Sequence, residues 1–363
     1  MPSTKRLRAL DLFRGLTVVG MILVNSSGSD DVYPLLAHAP WNGLTLADLV
    51  FPSFLVLVGV SAALSHASRR ARGQPDADIA RHAAWRALGL FALGVLVNFF
   101  LFREAAGIRW PGVLQRIALC SLGASALLLL DRPRLEPALA AALLAGYWLL
   151  LTRVPVPGHG AGVLTPEGNL ASWLDRRLIG GHMATPLQDQ EGLLSTLPAF
   201  ATTLLGLIAG RRLADGGSRS ARRLGAAGLA LFVLGWIWSL GFPLNKHLWT
   251  SSYALVAGGL CLTGLACSLL LCGETPGRPE APLESLGRHA LAAYVGAGFV
   301  YGVLEFVGAD LSAGGRGSLK LRLNARLFAS WLPPRAASLA FAVVFAALAA
   351  AAAAAAARPA DPD

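Results

Sequence analysis

The chain has 363 residues, of which 55% are hydrophobic and only 14% charged, and its mean hydropathy is +0.55. Soluble domains carry roughly 25% charged residues, so this composition excludes an ordinary water-soluble domain and points to lipid as the solvent. The net charge of +10 would suit a nucleic-acid binder, but the basic residues sit in short clusters between apolar runs, as membrane topology demands, and nucleic acid is excluded as a partner.

A spanning helix needs about 20 mostly apolar residues. Ten stretches qualify, at about 9–27, 46–64, 83–102, 111–130, 135–152, 193–210, 224–242, 249–272, 289–308 and 335–357. They predict an all-α polytopic transmembrane helical bundle of about ten helices (10–11), forming one domain over residues 1–363. The first stretch contains Asp11 and Arg14 and is read as a retained signal anchor rather than a cleaved leader. The second opens on Asp48. Gly89, Gly94, Gly206, Gly210, Gly225 and Gly228 fall inside helices, where small residues let neighbours approach closely. Segment 153–192 is the longest connection, with Pro155, Pro157, Gly158, Gly160 and Gly162 at its start. A connection of that length is expected to be functional or partly structured. The last stretch is alanine-rich from Ala346 to Ala357, a good helix former but a weak membrane inserter. No internal repeat is visible.

Alternate loops carry 18 and 11 lysines and arginines. The richer set is expected to be cytoplasmic, which puts both termini inside. Cys120, Cys261, Cys267 and Cys272 lie in or beside apolar stretches without metal-ligand spacing, so they are expected to be buried inert thiols, and no metal is expected.

Polar groups within lipid are costly and mark function or paired structure. Asp11 and Arg14 are three apart and can pair on one helix face. Asn25 lies eleven residues beyond Arg14, roughly 16 Å away and nearly on the same face. The next loop has no Lys or Arg but holds His38, followed by Trp41, Asn42, Thr45 and Asp48. A histidine titrates near neutral pH and a carboxylate can fix its tautomer; Asp48 capping the second helix is the competing reading. Trp249 is expected to be an interfacial anchor. Glu191 either favours the start of the sixth span through the helix dipole or holds an incoming ammonium.

The runs Arg8-Ala9-Leu10-Asp11-Leu12-Phe13-Arg14-Gly15-Leu16-Thr17, Met21-Ile22-Leu23-Val24-Asn25 and His38-Ala39-Pro40-Trp41-Asn42-Gly43-Leu44-Thr45-Leu46-Ala47-Asp48 resemble the heparan-alpha-glucosaminide N-acetyltransferase family. The resemblance continues in Pro111-Gly112-Val113-Leu114-Gln115-Arg116-Ile117, in Glu191-Gly192-Leu193-Leu194-Ser195-Thr196 and in Pro243-Leu244-Asn245-Lys246-His247-Leu248-Trp249. It implies a multi-pass enzyme that takes acetyl from cytosolic acetyl-CoA, its co-substrate, and passes it to the amine of a glucosamine-type sugar on the far side. The family's active histidine matches His38 and its partner amide matches Asn25.

Such a transfer needs a base for the amine proton, which His38 can be, and donors for the oxyanion, which Asn25 can supply. His38 acting as the acyl-carrying nucleophile is the other route. Asp48 completes the catalytic set. Arg14 and Arg116 are the candidate cations for the CoA phosphates, and Trp41, Asn42, Glu191 and Lys246 are the candidate acceptor contacts. The expected acceptor is an amino sugar of wall or envelope material, the expected location a bacterial inner membrane, and a homodimer completes the expected partners. The rival class is a transporter or flippase of envelope sugars or lipids with its charges along a pathway; a scaffold whose charge pairs are only structural is the third.

Overall fold

The computed structural model describes residues 8–101, 108–214, 218–272, 281–308 and 317–356. Their helices are α1 (Arg8–Asn25), a 3₁₀ turn (Ala47–Leu49) running into α2 (Val50–Ala71), α3 (Asp76–Leu101), α4 (Val113–Leu130), α5 (Leu135–Arg153), α6 (Leu170–Ile179), α7 (Thr196–Ala214), α8 (Ser218–Trp238), α9 (Ser251–Leu271), α10 (Ala281–Arg288), α11 (Ala290–Phe306), α12 (Leu319–Leu327) and α13 (Pro334–Ala356). Each of the ten apolar stretches falls on a helix. Among the described residues, seven helices are long and apolar enough to cross a membrane, or eight if α10 and α11, bent by 87° at their break, form one span. The protein is an integral membrane bundle. By this measure α1 and α7 fall short of the ten expected spans, because α1 carries Arg8, Asp11 and Arg14 and α7 ends on Arg211 and Arg212. The termini, 1–7 and 357–363, whose charges entered the orientation count, lie outside the described residues.

Helix packing divides the chain into two compact units. The first holds Ala39–Leu44 and the run from Phe51 to Leu270, hence α2 to α9. Its helices meet at glycines. A Cβ on Gly59 would stand 2.0 Å from the Thr203 carbonyl oxygen, and one on Gly206 would stand 2.1 Å from that of Val56, so α2 and α7 cross backbone to backbone. Gly228 and Gly259 do the same for α8 and α9, and Gly94 admits the Gln115 side chain between α3 and α4. Gly89 faces open space, so the packing expectation fails at that position. In α9, 61% of the apolar span is buried, against 22% in α3 and in α8. The first is a central helix; the other two present apolar faces suited to lipid.

The second unit holds α1 with the loop through His38, Thr45–Val50, and α10 to α13. In it α1 packs on α10, α11 and α13. A Cβ on Gly15 would strike the Leu283 carbonyl, and one on Gly287 would strike that of Asp11, so α10 lies directly on the first turns of α1.

The thiol expectation holds for Cys120 and Cys261, which are buried, but Cys267 is exposed on α9 and Cys272 is half-buried. Helical spacing puts these side chains on different faces of the same apolar segment, which hydropathy alone does not distinguish.

Candidate active site

His38 follows a turn closed by the Leu36 and Ala37 N–H groups on the Tyr33 carbonyl. Ten residues later the chain tightens into the 3₁₀ turn that leads α2, and this carries Asp48 back to the histidine. His38 Nδ1 lies 2.8 Å from Asp48 Oδ1. The other carboxylate oxygen accepts the Thr45 backbone N–H at 3.1 Å and the Thr45 hydroxyl at 3.0 Å. Asp48 therefore serves both sequence readings, fixing the helix entry and orienting the imidazole. Its side chain is 1% exposed, whereas that of His38 is 41% exposed. An ionised carboxylate only accepts hydrogen bonds, so in the neutral imidazole Nδ1 is the donor and Nε2 carries the lone pair.

The helix that leads into this loop packs on the 3₁₀ turn and ends at Asn25, whose side chain is exposed. About two turns into this helix, Arg14 Nη1 donates to Asp11 Oδ1 at 2.8 Å and to the Gly287 carbonyl at 3.3 Å. The expected Asp11–Arg14 pair is present, and it also ties α1 to α10. The structure thus brings His38, Thr45 and Asp48 together and places Asn25 at the end of a helix that carries Arg14 eleven positions earlier.

The remaining candidates lie in the first unit. Trp41 Nε1 donates to the Leu164 carbonyl at 2.9 Å, and its ring sits 5.1 Å from that of His247. The Gly43 N–H donates to the Leu244 carbonyl. Asn42 Oδ1 accepts from Asn245 Nδ2 at 3.1 Å. Asn245 is buried and Lys246 nearly so. Segment 39–44 is thereby fastened to segment 244–247.

Glu191 accepts from Arg109 Nη2, which also bonds Asp189 Oδ1 at 2.6 Å, while Arg109 Nε bonds Asp189 Oδ2 at 2.8 Å. Burial by itself would lower the Arg109 guanidinium, but the two carboxylates outweigh it and hold it above its ordinary value. The same contacts overcome burial at Asp189 and keep its carboxyl below the usual range. Nearby Asp175 on α6 accepts the Leu193 N–H at 2.9 Å, and burial pushes its carboxyl up to about 6. Arg116 is wholly enclosed: Nη2 donates to the Gly192 carbonyl at 3.1 Å and to Ser195 Oγ, with the guanidinium 5.3 Å over the Trp249 ring. Trp249 is 1% exposed, and its Nε1 donates to Thr202 Oγ1. It is not the interfacial anchor expected from its type and depth, because the guanidinium and the Phe51 and Tyr253 rings enclose its indole.

Residues 6–242 match the family model described as heparan-alpha-glucosaminide N-acetyltransferase, catalytic. The chain belongs to this family. The heparan-alpha-glucosaminide N-acetyltransferase of Mus musculus is 32% identical over 309 residues, covering 69% of this chain and 47% of the mouse protein. That of Homo sapiens is 32% identical over 306 residues, covering 68% and 46%. The chain spans about half the length of the curated relatives it matches.

The region matching the acetyltransferase family contains Arg14, Asn25, His38, Trp41, Asn42, Asp48, Arg116 and Glu191, and it stops short of Lys246. Arg109, Asp189 and Asn245 were not singled out as candidates from the sequence. The ion cluster had one usable signal, opposite charges beside the ends of apolar stretches, but their separation of 80 positions leaves the pairing to the fold.

Proposed function

We propose that this protein is a transmembrane acyltransferase that moves acetyl from acetyl-CoA to the amine of a glucosamine-type sugar, with His38 at the reacting centre. The observation that carries the reading is the His38–Asp48 pair: a buried carboxylate holds Nδ1 at 2.8 Å, on an imidazole that is 41% exposed, which presents Nε2 as a base or nucleophile. In direct transfer the amine nitrogen forms a bond to the thioester carbonyl carbon. His38 Nε2 takes the amine proton, the carbon–sulfur bond breaks, and the proton passes to the departing CoA thiolate. In the two-step route Nε2 attacks the carbonyl first, CoA leaves, and the amine then displaces the imidazole. Both routes need the same tautomer.

The Asn25 amide is the assigned oxyanion donor. Arg14, in the first half of α1, is the assigned cation for the donor's phosphates, with the N-terminal end of that helix facing the cytosol. Trp41 and Asn42, three and four positions after His38, are the acceptor-side residues. Glu191 and Arg116 already have buried protein partners, and their assigned task is to stiffen the chain from 189 to 195; Lys246 keeps its acceptor assignment from position alone. The chain works as one multi-pass domain in a bacterial inner membrane.

The test is CoA release by the detergent-purified protein from acetyl-CoA, with and without glucosamine, for the native chain and His38→Ala. Release that requires the amine and falls by at least about 10²-fold in the variant is the expected result. Acetyl-CoA binding without release would sink the acceptor assignment, and absence of binding would sink the enzyme reading. One feature favours the rival class: α10 and α11 break by 87°, and broken helices recur in transporters. That reading expects uptake of glucosamine into proteoliposomes with no CoA released.

A further inference from the structure

The chain just beyond Asn25 is held at Ser27, Gly28 and Ser29 by hydrogen bonds with α11 and α13. The Ser26 N–H still donates to the Ile22 carbonyl at 2.9 Å, extending the helical turn. The Ser27 carbonyl accepts the Tyr301 hydroxyl of α11 at 3.0 Å. The Gly28 N–H donates to the Ser338 carbonyl of α13 at 3.2 Å. Ser338 Oγ accepts from the Ser29 N–H and donates to the Ser29 carbonyl, both at 3.1 Å. A Cβ on Gly28 would stand 2.5 Å from Asn324 Oδ1 of α12 and 2.8 Å from Phe341 Cβ of α13, so a side chain there would crowd both helices.

Tyr301 is itself braced. Lys320 Nζ donates to its oxygen at 3.3 Å, lies 5.5 Å from its ring centre, and forms an ion pair with Glu305 Oε2 at 2.6 Å. An ammonium donating to a phenol oxygen polarises the O–H toward its own acceptor, so the chain Lys320, Tyr301, Ser27 carbonyl is cooperative. Lys320 is 6% exposed. A buried lysine is costly unless paired, yet nothing in the transfer chemistry uses it.

We propose that this clasp sets the position of the Asn25 amide, with Tyr301 and Lys320 as positioning residues of the acyl-transfer site. The proposal rests on the assignment of Asn25 as oxyanion donor, and it gives α11 to α13, which lie beyond the family-matched region, a task in the reaction. A side chain at a helix end follows the backbone it leaves from. Fixing residues 26–29 fixes both the last turn of α1 and the start of the loop to His38. Geometry at a reacting centre must hold to a fraction of an ångström for full rate, so loss of one strut should slow turnover while acetyl-CoA still binds.

Two measurements on the full-length protein in detergent test this. In hydrogen exchange, Tyr301→Phe should speed exchange at the Gly28 and Ser29 amides by about five-fold, the size of one lost hydrogen bond. In CoA release from acetyl-CoA and glucosamine, Tyr301→Phe should lower kcat by about five-fold with KM for acetyl-CoA unchanged, and should add no loss in an Asn25→Ala background. Ser338→Ala gives the same test should the tyrosine variant not fold. Unchanged exchange overturns the clasp, and this arm decides it even where glucosamine is the wrong acceptor. Equal losses in both backgrounds overturn the positioning role. An Asn25→Ala protein as active as the native chain, with exchange accelerated, removes the Asn25 assignment and this role with it while leaving His38 untouched.

Discussion

The first unit contains a saturated ion cluster and the second an open dyad, and the contrast separates scaffolding from chemistry. Arg109 is 13% exposed and spends its donors on Asp189 and Glu191, which are 0% and 9% exposed. In the dyad the Asp48 side chain is 1% exposed and the His38 side chain 41%. A buried carboxylate is the common part. It stabilises a fixed cation in one place and fixes a reactive imidazole in the other.

Breaking the closed cluster should give the largest effect. Arg109→Ala leaves two buried carboxylates without their cation, and the expected loss is about 3–5 kcal/mol of stability, read as a collapse of the thermal midpoint and of yield in detergent. Breaking the open dyad should leave the midpoint in place and remove activity. Asp48→Asn can present an amide N–H to Nδ1, so the imidazole proton moves to Nε2, and CoA release should fall by about 10²-fold or more. A variant that loses stability in step with activity would erase the contrast.

A third variant sharpens it through pH. Asp175 stands at about 6 against an ordinary 3.8, so the fold is penalised by its charge. Stability from this group is full below the ordinary value and is lost as pH rises through about 6. Asp175→Asn keeps an acceptor for the Leu193 N–H and removes the charge. Its melting curve should match the native one at low pH and gain up to roughly 3 kcal/mol above neutrality; a constant difference at every pH would show that the carboxyl is not the cause. The smallest effect is expected from Thr45→Val, which removes the hydroxyl bond to Asp48 but keeps the backbone one. About 1 kcal/mol of support is lost, and kcat should drop by less than about ten-fold.

Hydropathy and charge were enough to place a helix on every long apolar stretch and to pick out His38, Asp48, Asn25 and Arg14, because lipid forces backbone groups into helices and makes each polar exception conspicuous. The short helices α6, α10 and α12 were not legible. They are amphipathic and 10, 8 and 9 residues long, too brief to stand out by apolar length and stabilised by packing rather than by lipid.

What the sequence determined by itself was the solvent, the number of apolar stretches and the order of the polar groups along the chain, since each depends only on residue type and local spacing. Tertiary structure alone decided that Asp48 meets His38 across ten positions, that Arg116 and Trp249 are sealed against each other, and that Tyr301 and Ser338 grip the end of α1 from 274 and 309 positions away. A hydrogen bond or an ion pair is specific at about 3 Å, and distance along the chain says nothing about which groups the packing of glycine-lined helices brings within that reach.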